Sequence, residues 1–385
     1  MCVYLTLANV FHPPPHHHLP FPPTMVQAAF AAAYGVATNH PVAVVFAAVA
    51  LFFLHWLTHP IFRAWSSSVA GDHVSEMTFV EPNESVAAGA AAKSVLRNAA
   101  NPAADGAVTK PFPSLFDEPS RELSLVVPAY NEEVRLPVMM DETMAYLESR
   151  ARKDRSFTYE VIIVDDGSRD NTAKVGLAYS KKFTTNKVRV LILHENHGKG
   201  GAVRKGMMRA RGKRILMVDA DGATKISDLE RLEAEAAKLE GKRSERFSMV
   251  VGSRHHMMLE AVAERTAVRN LLMHGFHFYV SIMCAPGIND TQCGFKLFSR
   301  HAAQKVFPSQ HIERWAFDVE LLYLANKQGI PTREVAVNWQ EIDGSKVNLF
   351  SSIPQMARDI FSIRLCYMLG IWQIRKGRLV KNKSQ

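Results

Sequence analysis

The sequence predicts an α/β protein, with a mostly parallel sheet flanked by helices, preceded by one N-terminal transmembrane helix. Three observations carry this reading. From Glu122 onward, short apolar runs alternate with helical patterns, the order that builds parallel strands joined by crossover helices. The runs end, one after another, in polar clusters: AYNEE, DDGS, HENHGKG, DADG and GSR. In such sheets ligands sit at the carboxyl ends of the strands. Residues 1–62 hold no Asp, Glu, Lys or Arg, and the first charged residue is Arg63, so the amino-terminal stretch suits hydrocarbon better than water.

Composition narrows the class. The chain has 385 residues, 47% hydrophobic and 22% charged, which excludes a wholly disordered chain and a polytopic membrane protein. The four cysteines, Cys2, Cys284, Cys293 and Cys366, are too widely spaced for a disulfide scaffold or a CxxC zinc site. The net charge of +9 suits an anionic ligand or a membrane surface; no nucleic acid partner is expected.

The elements follow in order. Residues 1–24 form a tail that includes HPPPHHHLPFPP, His12–Pro23; histidines in a Pro-rich segment mark a flexible tail more often than a metal site. Residues 25–62 are the anchor. Pro41–Leu57 reads PVAVVFAAVALFFLHWL, 17 residues with one His, and the apolar 25–35 stretch adds the length needed to span about 30 Å. A buried core helix would show a polar face, and a signal peptide would show a basic start and a cleavage site. Arg63 follows the span and no cation precedes it, which orients the bulk of the chain to the cytosol. Residues 63–120 read as a linker, largely disordered, rich in Ala, Ser, Gly, Asn and Pro. The catalytic domain is expected at 121–350. Strands are expected at 123–128, 160–165, 188–193, 214–219 and 248–251, with helices near 134–152, 171–183, 200–210 and 227–239.

The strand ends carry the chemistry. After the first comes Val127-Pro128-Ala129-Tyr130-Asn131-Glu132-Glu133. No GxGxxG turn is present, so a dinucleotide fold is not indicated. A ring can stack on a base and a carboxylate can accept from a base or ribose; equally, Asn131 can cap a helix whose dipole the glutamates complement. The second strand ends in Asp165-Asp166-Gly167-Ser168, which also suits a capped turn. The third leads into Asn196-His197-Gly198-Lys199-Gly200-Gly201, not a Walker A loop, yet a glycine-rich helix start with a lysine can accept a phosphate. The fourth ends in Asp219-Ala220-Asp221. Two acids at i and i+2 can reach one hard cation, Mg2+ or Mn2+, that also holds substrate phosphates; a lone pair of this kind is as often a turn.

Taken together, VPAYNEE, VDDGSRD, ENHGKGGAV and VDADG, followed by DTQCGFK from Asp290, WAFDVE from Trp315 and WQEIDGSK from Trp339, resemble the family-2 glycosyltransferases with the nucleotide-sugar-binding GT-A fold. The likeness runs from about Glu122 to Lys376 and is strongest to members that pass a sugar to a polyprenyl phosphate. It implies that Pro128, Tyr130, Glu132, Asp165 and Asp166 hold uracil and ribose. It implies that Lys199 and Lys346 serve the diphosphate, and that Asp219 and Asp221, with Ala220 between them, hold the metal and diphosphate. Arg254 and Arg269 would receive the lipid phosphate and, with the two aspartates, form the catalytic set. The implied reaction moves glucose from UDP-glucose to dolichyl phosphate with inversion, for protein N-glycosylation at the endoplasmic reticulum membrane.

Read without the resemblance, Arg265 and Arg269 fall at i and i+4 on a solvated helix face. His255, His256, His274 and His277 have no assigned role. Asp290 orients the acceptor or caps a turn, and Asp318 and Glu320 are candidate acids near the sugar. A phosphate acceptor, largely dianionic at neutral pH, has less need of a strong general base than a hydroxyl.

Residues 351–385 read as an amphipathic membrane-interface helix with a basic tail. Ile353, Met356, Ile360, Ile363, Tyr367 and Ile371 fall three and four apart, and five cations follow with no acid; the alternative is a helix packed on the domain. A processive polysaccharide synthase is disfavoured, because Gln310 precedes Arg314-Trp315 by three residues rather than the two of QxxRW. A dolichyl-phosphate mannosyltransferase using GDP-mannose is the nearer rival. A membrane-tethered nucleotide-sugar-binding scaffold without turnover is the alternative of another class. Asn289-Asp290-Thr291 is a formal glycosylation sequon, expected to stay unmodified in the cytosol.

Overall fold

The computed structural model describes residues 50–51, 54–58, 74–81, 108–241, 247–254, 275, 279–284, 287–342 and 349–375. The chain divides into two units, Met1–His59 and Pro60–Gln385. In the first, residues 50–51 and 54–58 are helical. Among the described residues no helix is long and apolar enough to cross a membrane; the predicted anchor at 25–62 lies mostly outside them.

The second unit begins earlier than the sequence suggests. Within the stretch read as a linker, a single 3-10 turn, Val74–Met77, leads into strand β1, Thr78–Glu81, which pairs antiparallel with β2, Val108–Pro111. Glu76 is fully buried, and its carboxylate meets Lys205 Nζ at 2.5 Å and the His194 N–H at 3.1 Å. The Arg209 guanidinium donates to the Glu76 carbonyl at 2.7 and 3.0 Å. Phe79 packs on Phe112, ring centroids 5.1 Å apart. The linker reading is therefore corrected at 74–81 and 108–120; residues 82–107 lie outside the described ones. The signal was weak because each strand has only four residues, too few to show a period.

The main sheet has seven strands: β3 Arg121–Ala129, β4 Tyr159–Asp165, β5 Val188–Ile192, β6 Gly212–Met217, β7 Met249–Ser253, β8 Lys296–Ser299 and β9 Thr332–Ala336. Their order across the sheet is β5-β4-β3-β6-β8-β7-β9. Only β8 runs against its neighbours, antiparallel to both β6 and β7. Helices α1 (Arg135–Lys153), α2 (Thr172–Phe183), α3 (Gly198–Met207) and α4 (Leu229–Glu240) follow β3 to β6 in turn. Then come α5 (Arg300–Val306), α6 (Phe317–Lys327) and α7 (Leu349–Met368). The predicted alternation from β3 to β7 agrees with this to within a few residues.

The sheet is buried on both faces, which explains the unbroken apolar runs. Leu125, Val127, Val161 and Ile163 point to one core, with Met140 of α1 and Leu232 of α4. Val126, Ile162 and Val164 point to the other, with Val203 of α3, Leu321 of α6 and Ile360 of α7. Removing one such side chain, as in Leu125→Ala, costs about 2–5 kcal/mol.

The stripe on α7 that was expected to meet lipid faces inward instead. Met356, Ile360 and Ile363 are buried in the domain, and Ile371 packs against the same core. Tyr367 is half-buried and donates its hydroxyl to Ser309 O at 2.6 Å. The period identified an amphipathic helix correctly, but the sheet layer, rather than a bilayer, supplies its apolar partner. Residues 376–385 lie outside the described ones.

Candidate active site

The carboxyl ends of β3, β4 and β6 open into a cleft of about 710 Å³. Of the residues expected to form the site, Pro128, Tyr130, Glu132, Asp166, Lys199, Asp219, Ala220, Asp221 and Arg254 all line it. Asp165 is buried at the end of β4 and does not line it. Arg265, Arg269, His255, His256, His274, His277 and Lys346 lie outside the described residues.

Cross-loop hydrogen bonds shape the nucleotide end. Asn131 sits at φ 53, a left-handed conformation that Asn tolerates better than most residues. Its N–H donates to Ser168 Oγ at 2.9 Å, and its side chain accepts from the Arg169 N–H at 2.8 Å. Glu133 accepts from the Asn171 N–H and amide, both at 2.9 Å. These residues tie the β3 and β4 loops together and do not cap α1, whose N-cap is Val134. Glu132 is held by Arg135 at 2.7 and 2.6 Å. Asp166 accepts from the His197 N–H at 2.8 Å and the Asn196 amide at 2.9 Å. Burial pushes its carboxyl up to about 7, although the backbone N–H groups of His197 and Gly198 favour the charged form.

The glycine-rich start of α3 serves packing. A Cβ at Gly200 would lie 2.6 Å from Ile312 O and 2.6 Å from Phe317 Cβ. The glycines thus admit the 312–317 segment, and the Gly201 N–H donates to Glu313 O at 3.0 Å. Lys199 turns to the cleft, where its ammonium meets Asp219 Oδ1 at 2.7 Å. Burial lowers its pKa, but Asp219 and Asp318 more than offset this, so the group stays charged.

Asp219 and Asp221 follow β6. Asp221 Oδ1 accepts from the Ala223 N–H at 3.0 Å. Burial, then repulsion from Asp219, raises its carboxyl above the ordinary range. Two crowded carboxylates, which offer only oxygen ligands, fit a hard divalent cation. Among the described residues no group of three or more His, Cys, Asp or Glu forms a full ligand cage; the arrangement leaves positions for water and phosphate oxygens.

Three acids weighed from the sequence now have defined partners. Asp290 clamps Arg254 at 2.7 and 2.9 Å and also accepts the Arg254 N–H at 2.9 Å. Despite burial, this pairing holds the Asp290 carboxyl below its ordinary value. Asp290 therefore orients Arg254, whose guanidinium lies 5.3 Å over the Trp339 ring. Asp318 lines the cleft and meets the buried Lys296 Nζ at 2.5 Å. Glu320 is outside the cleft lining, fully buried, and accepts from the His311 and Ile312 N–H groups at 2.9 and 2.6 Å. It holds the loop that leads to Arg314 and Trp315.

The cleft also contains residues that sequence reasoning gave no role, Arg135, Gln292, Arg314, Trp315 and Trp339, and Met356, which was read as part of the lipid-facing stripe. Gln292, Trp315 and Trp339 stand inside the quoted motifs, so the signal was present. Arg135 had none beyond its spacing of three from Glu132.

A mostly parallel sheet with paired acids at its carboxyl edge, a lysine on the acids and an arginine clamped nearby fits a glycosyltransferase. The model for glycosyl transferase family 2 matches residues 124–307. Human dolichyl-phosphate beta-glucosyltransferase is 54% identical over 267 residues, 69% of this chain and 82% of that one. The enzyme of the same name from Saccharomyces cerevisiae is 41% identical over 280 residues, 70% of this chain and 83% of that one. The chain belongs to the dolichyl-phosphate beta-glucosyltransferases of glycosyltransferase family 2, and its domain has the GT-A-like fold. Among solved structures, Mycobacterium tuberculosis glucosyl-3-phosphoglycerate synthase with Mn2+, UDP-glucose and phosphoglyceric acid aligns at a TM-score of 0.43 and 18% identity, over 66% of this chain and 81% of that one.

Proposed function

We propose that the cleft transfers glucose from UDP-glucose to dolichyl phosphate with inversion at the anomeric carbon. The sugar and the acceptor come with the family; the donor nucleotide is our reading of the site. Tyr130 offers a ring to the base, and Glu132 and Asp166 offer carboxylates at the same end of the cleft. The observation that carries the reaction is the Asp219/Asp221 pair with Lys199 beside it at 2.7 Å.

Asp219 and Asp221 would hold Mg2+ or Mn2+, which when bound neutralises the diphosphate leaving group. Lys199 adds a second positive charge at that end, and Arg135 a third close to both acids. Arg254, already oriented by Asp290, is the first cation for the acceptor phosphate, since a fixed guanidinium reduces the repulsion between two anions as they meet. Arg269 and Lys346 are assigned to the acceptor phosphate and the diphosphate on family likeness. A phosphate monoester has a second pKa of about 6 and attacks without surrendering a proton. This accords with the absence of a role for Glu320 as a base and with Asp318 being held by Lys296.

The setting we propose is the endoplasmic reticulum membrane, with one span at 25–62 and the domain in the cytosol; Arg63 after the span supports that orientation. With the predicted stripe of α7 turned inward, contact with lipid falls to its outer side, where Met368 and Leu369 are 65% and 59% exposed. The test incubates membranes bearing the protein with labelled UDP-glucose or GDP-mannose and dolichyl phosphate. A lipid-linked glucose formed from UDP-glucose alone is expected. Mannose transfer, or UDP binding without consumption of UDP-glucose, would overturn the proposal.

A further inference from the structure

A second pocket, of about 270 Å³, lies between α6 and α7, away from the donor cleft. Lys327 of α6 and Arg364 of α7 both line it, and no acid does. Neither cation is in an ion pair with a carboxylate among the described residues. Tyr323 lines it too, with Lys327 Nζ 5.8 Å from its ring centroid and its hydroxyl hydrogen-bonded to Arg364. The Tyr367 hydroxyl is already engaged by Ser309 O at 2.6 Å and Glu320 at 2.8 Å. Each cation therefore touches Tyr323, and no carboxylate lining the pocket neutralises either.

The rim has a different character. Met368 lines the pocket and Leu369 follows it, both largely exposed. A little further along the chain come Arg375, Lys376, Arg378, Lys381 and Lys383, with no acid to the end of the sequence. Two exposed cations lining a hollow, with an apolar side chain, Met368, beside them, match an anionic headgroup whose acyl chains leave past the rim. A free phosphate would use the cations but not the lip.

We propose that this pocket binds the phosphate of an anionic bilayer phospholipid, with Arg364 and Lys327 as its ligands. Arg364 lies eight residues beyond Met356, which lines the donor cleft, a rise of about 12 Å along α7. A headgroup held there fixes the height and tilt of the cleft mouth over the membrane. The inference rests on the reading that the domain works at a bilayer surface and adds a defined site to it.

The test uses the full chain in neutral detergent, supplied with phosphatidylglycerol, with retained lipid counted by native mass spectrometry. The wild-type chain is expected to keep a phospholipid that the Arg364→Glu/Lys327→Glu variant holds roughly tenfold less well. A Lys181→Glu/Lys182→Glu variant, reversed on α2, should match wild type, and unchanged thermal unfolding will show that each variant folds. Equal retention by wild type and the pocket variant overturns the proposal. So does displacement of the lipid by millimolar inorganic phosphate, which would mark a free-anion site. Flotation of wild type with phosphatidylcholine/phosphatidylglycerol vesicles is read separately: a chain that fails to float overturns the bilayer reading itself, whereas one that floats but retains no lipid at the pocket overturns only this site.

Discussion

Asp219 turns its carboxylate into space that only a glycine at position 294 leaves free: a Cβ on Gly294 would lie 2.0 Å from Asp219 Oδ2. The antiparallel strand β8 starts two residues later and brings the Gly294 backbone against the end of β6. Gly294→Ala should therefore push Asp219 out of register with Asp221. Glucosyl transfer is expected to fall by about a hundredfold, the scale of a misplaced reacting group, with the melting temperature little changed. Near-normal turnover in this variant would mean that the placement of Asp219 is not critical.

The metal reading predicts a sharper loss at Asp221. Asp221→Asn keeps the shape and the acceptor for the Ala223 N–H but removes a charge. Transfer should drop by about a thousandfold or more while circular dichroism stays native. A chelator should abolish wild-type transfer, and added Mg2+ or Mn2+ should restore it. Activity that survives complete chelation would remove the metal from the scheme.

Asp166 predicts a pH dependence. Burial holds its carboxyl at about 7 in the folded chain, so below that pH the group carries a proton. A nucleotide that needs the carboxylate as acceptor will bind more tightly as pH rises through 7, by at most about tenfold per unit, and the gain will level off above it. The folded carboxyl keeps its proton to higher pH than the unfolded one, so the ligand-free fold loses this group's contribution as pH rises from the ordinary Asp range to about 7, with no further loss above. Calorimetric titration with UDP from pH 6 to 8 measures the first effect. Asp166→Asn should flatten the curve, and an unchanged slope would assign the titration elsewhere.

Tyr367 joins α7 to the loop of Arg314 and Trp315 through Glu320. Tyr367→Phe leaves the Ser309 carbonyl and the Glu320 carboxylate without that donor, at a cost of about 1–3 kcal/mol. Denaturant unfolding will measure it. Because the loop borders the cleft, KM for dolichyl phosphate should rise more than KM for UDP-glucose, a split that loss of stability alone would not produce.

Asn289 should carry no glycan in material from the native host. Its amide is hydrogen-bonded to Glu334 at 3.1 Å, and the proposed topology keeps it on the cytosolic side. Intact-mass measurement of the peptide checks this, and a glycan there would reverse the orientation.

Much of the scaffold was legible because β3 to β7 follow simple periods and end in polar clusters. The polar strand ends pointed to one cleft, and the likeness to family 2 singled out Pro128, Tyr130, Glu132, Asp166 and the Asp219/Asp221 pair within it. The reversed strand β8 was not legible: it has four residues and begins with Lys296, a fully buried cation whose partner Asp318 is 22 positions away. Pairings of that range leave no local period. The inward turn of α7 failed for a related reason, since an apolar stripe tells nothing of whether protein or lipid will cover it. Asp290 stayed open between orienting the acceptor and capping a turn because its partner, Arg254, lies 36 residues earlier.

Glu76 changes where this enzyme starts. Its carboxylate answers Lys205 on α3, the helix whose first turn carries Lys199 into the cleft. A version trimmed to the residues near 124 where the family match begins would strip that carboxylate, and the Glu76 carbonyl that Arg209 holds, from α3 and its end. Shortened versions made for crystallisation or assay should begin upstream of Val74, or the donor loop will rest on a helix with its foundation removed.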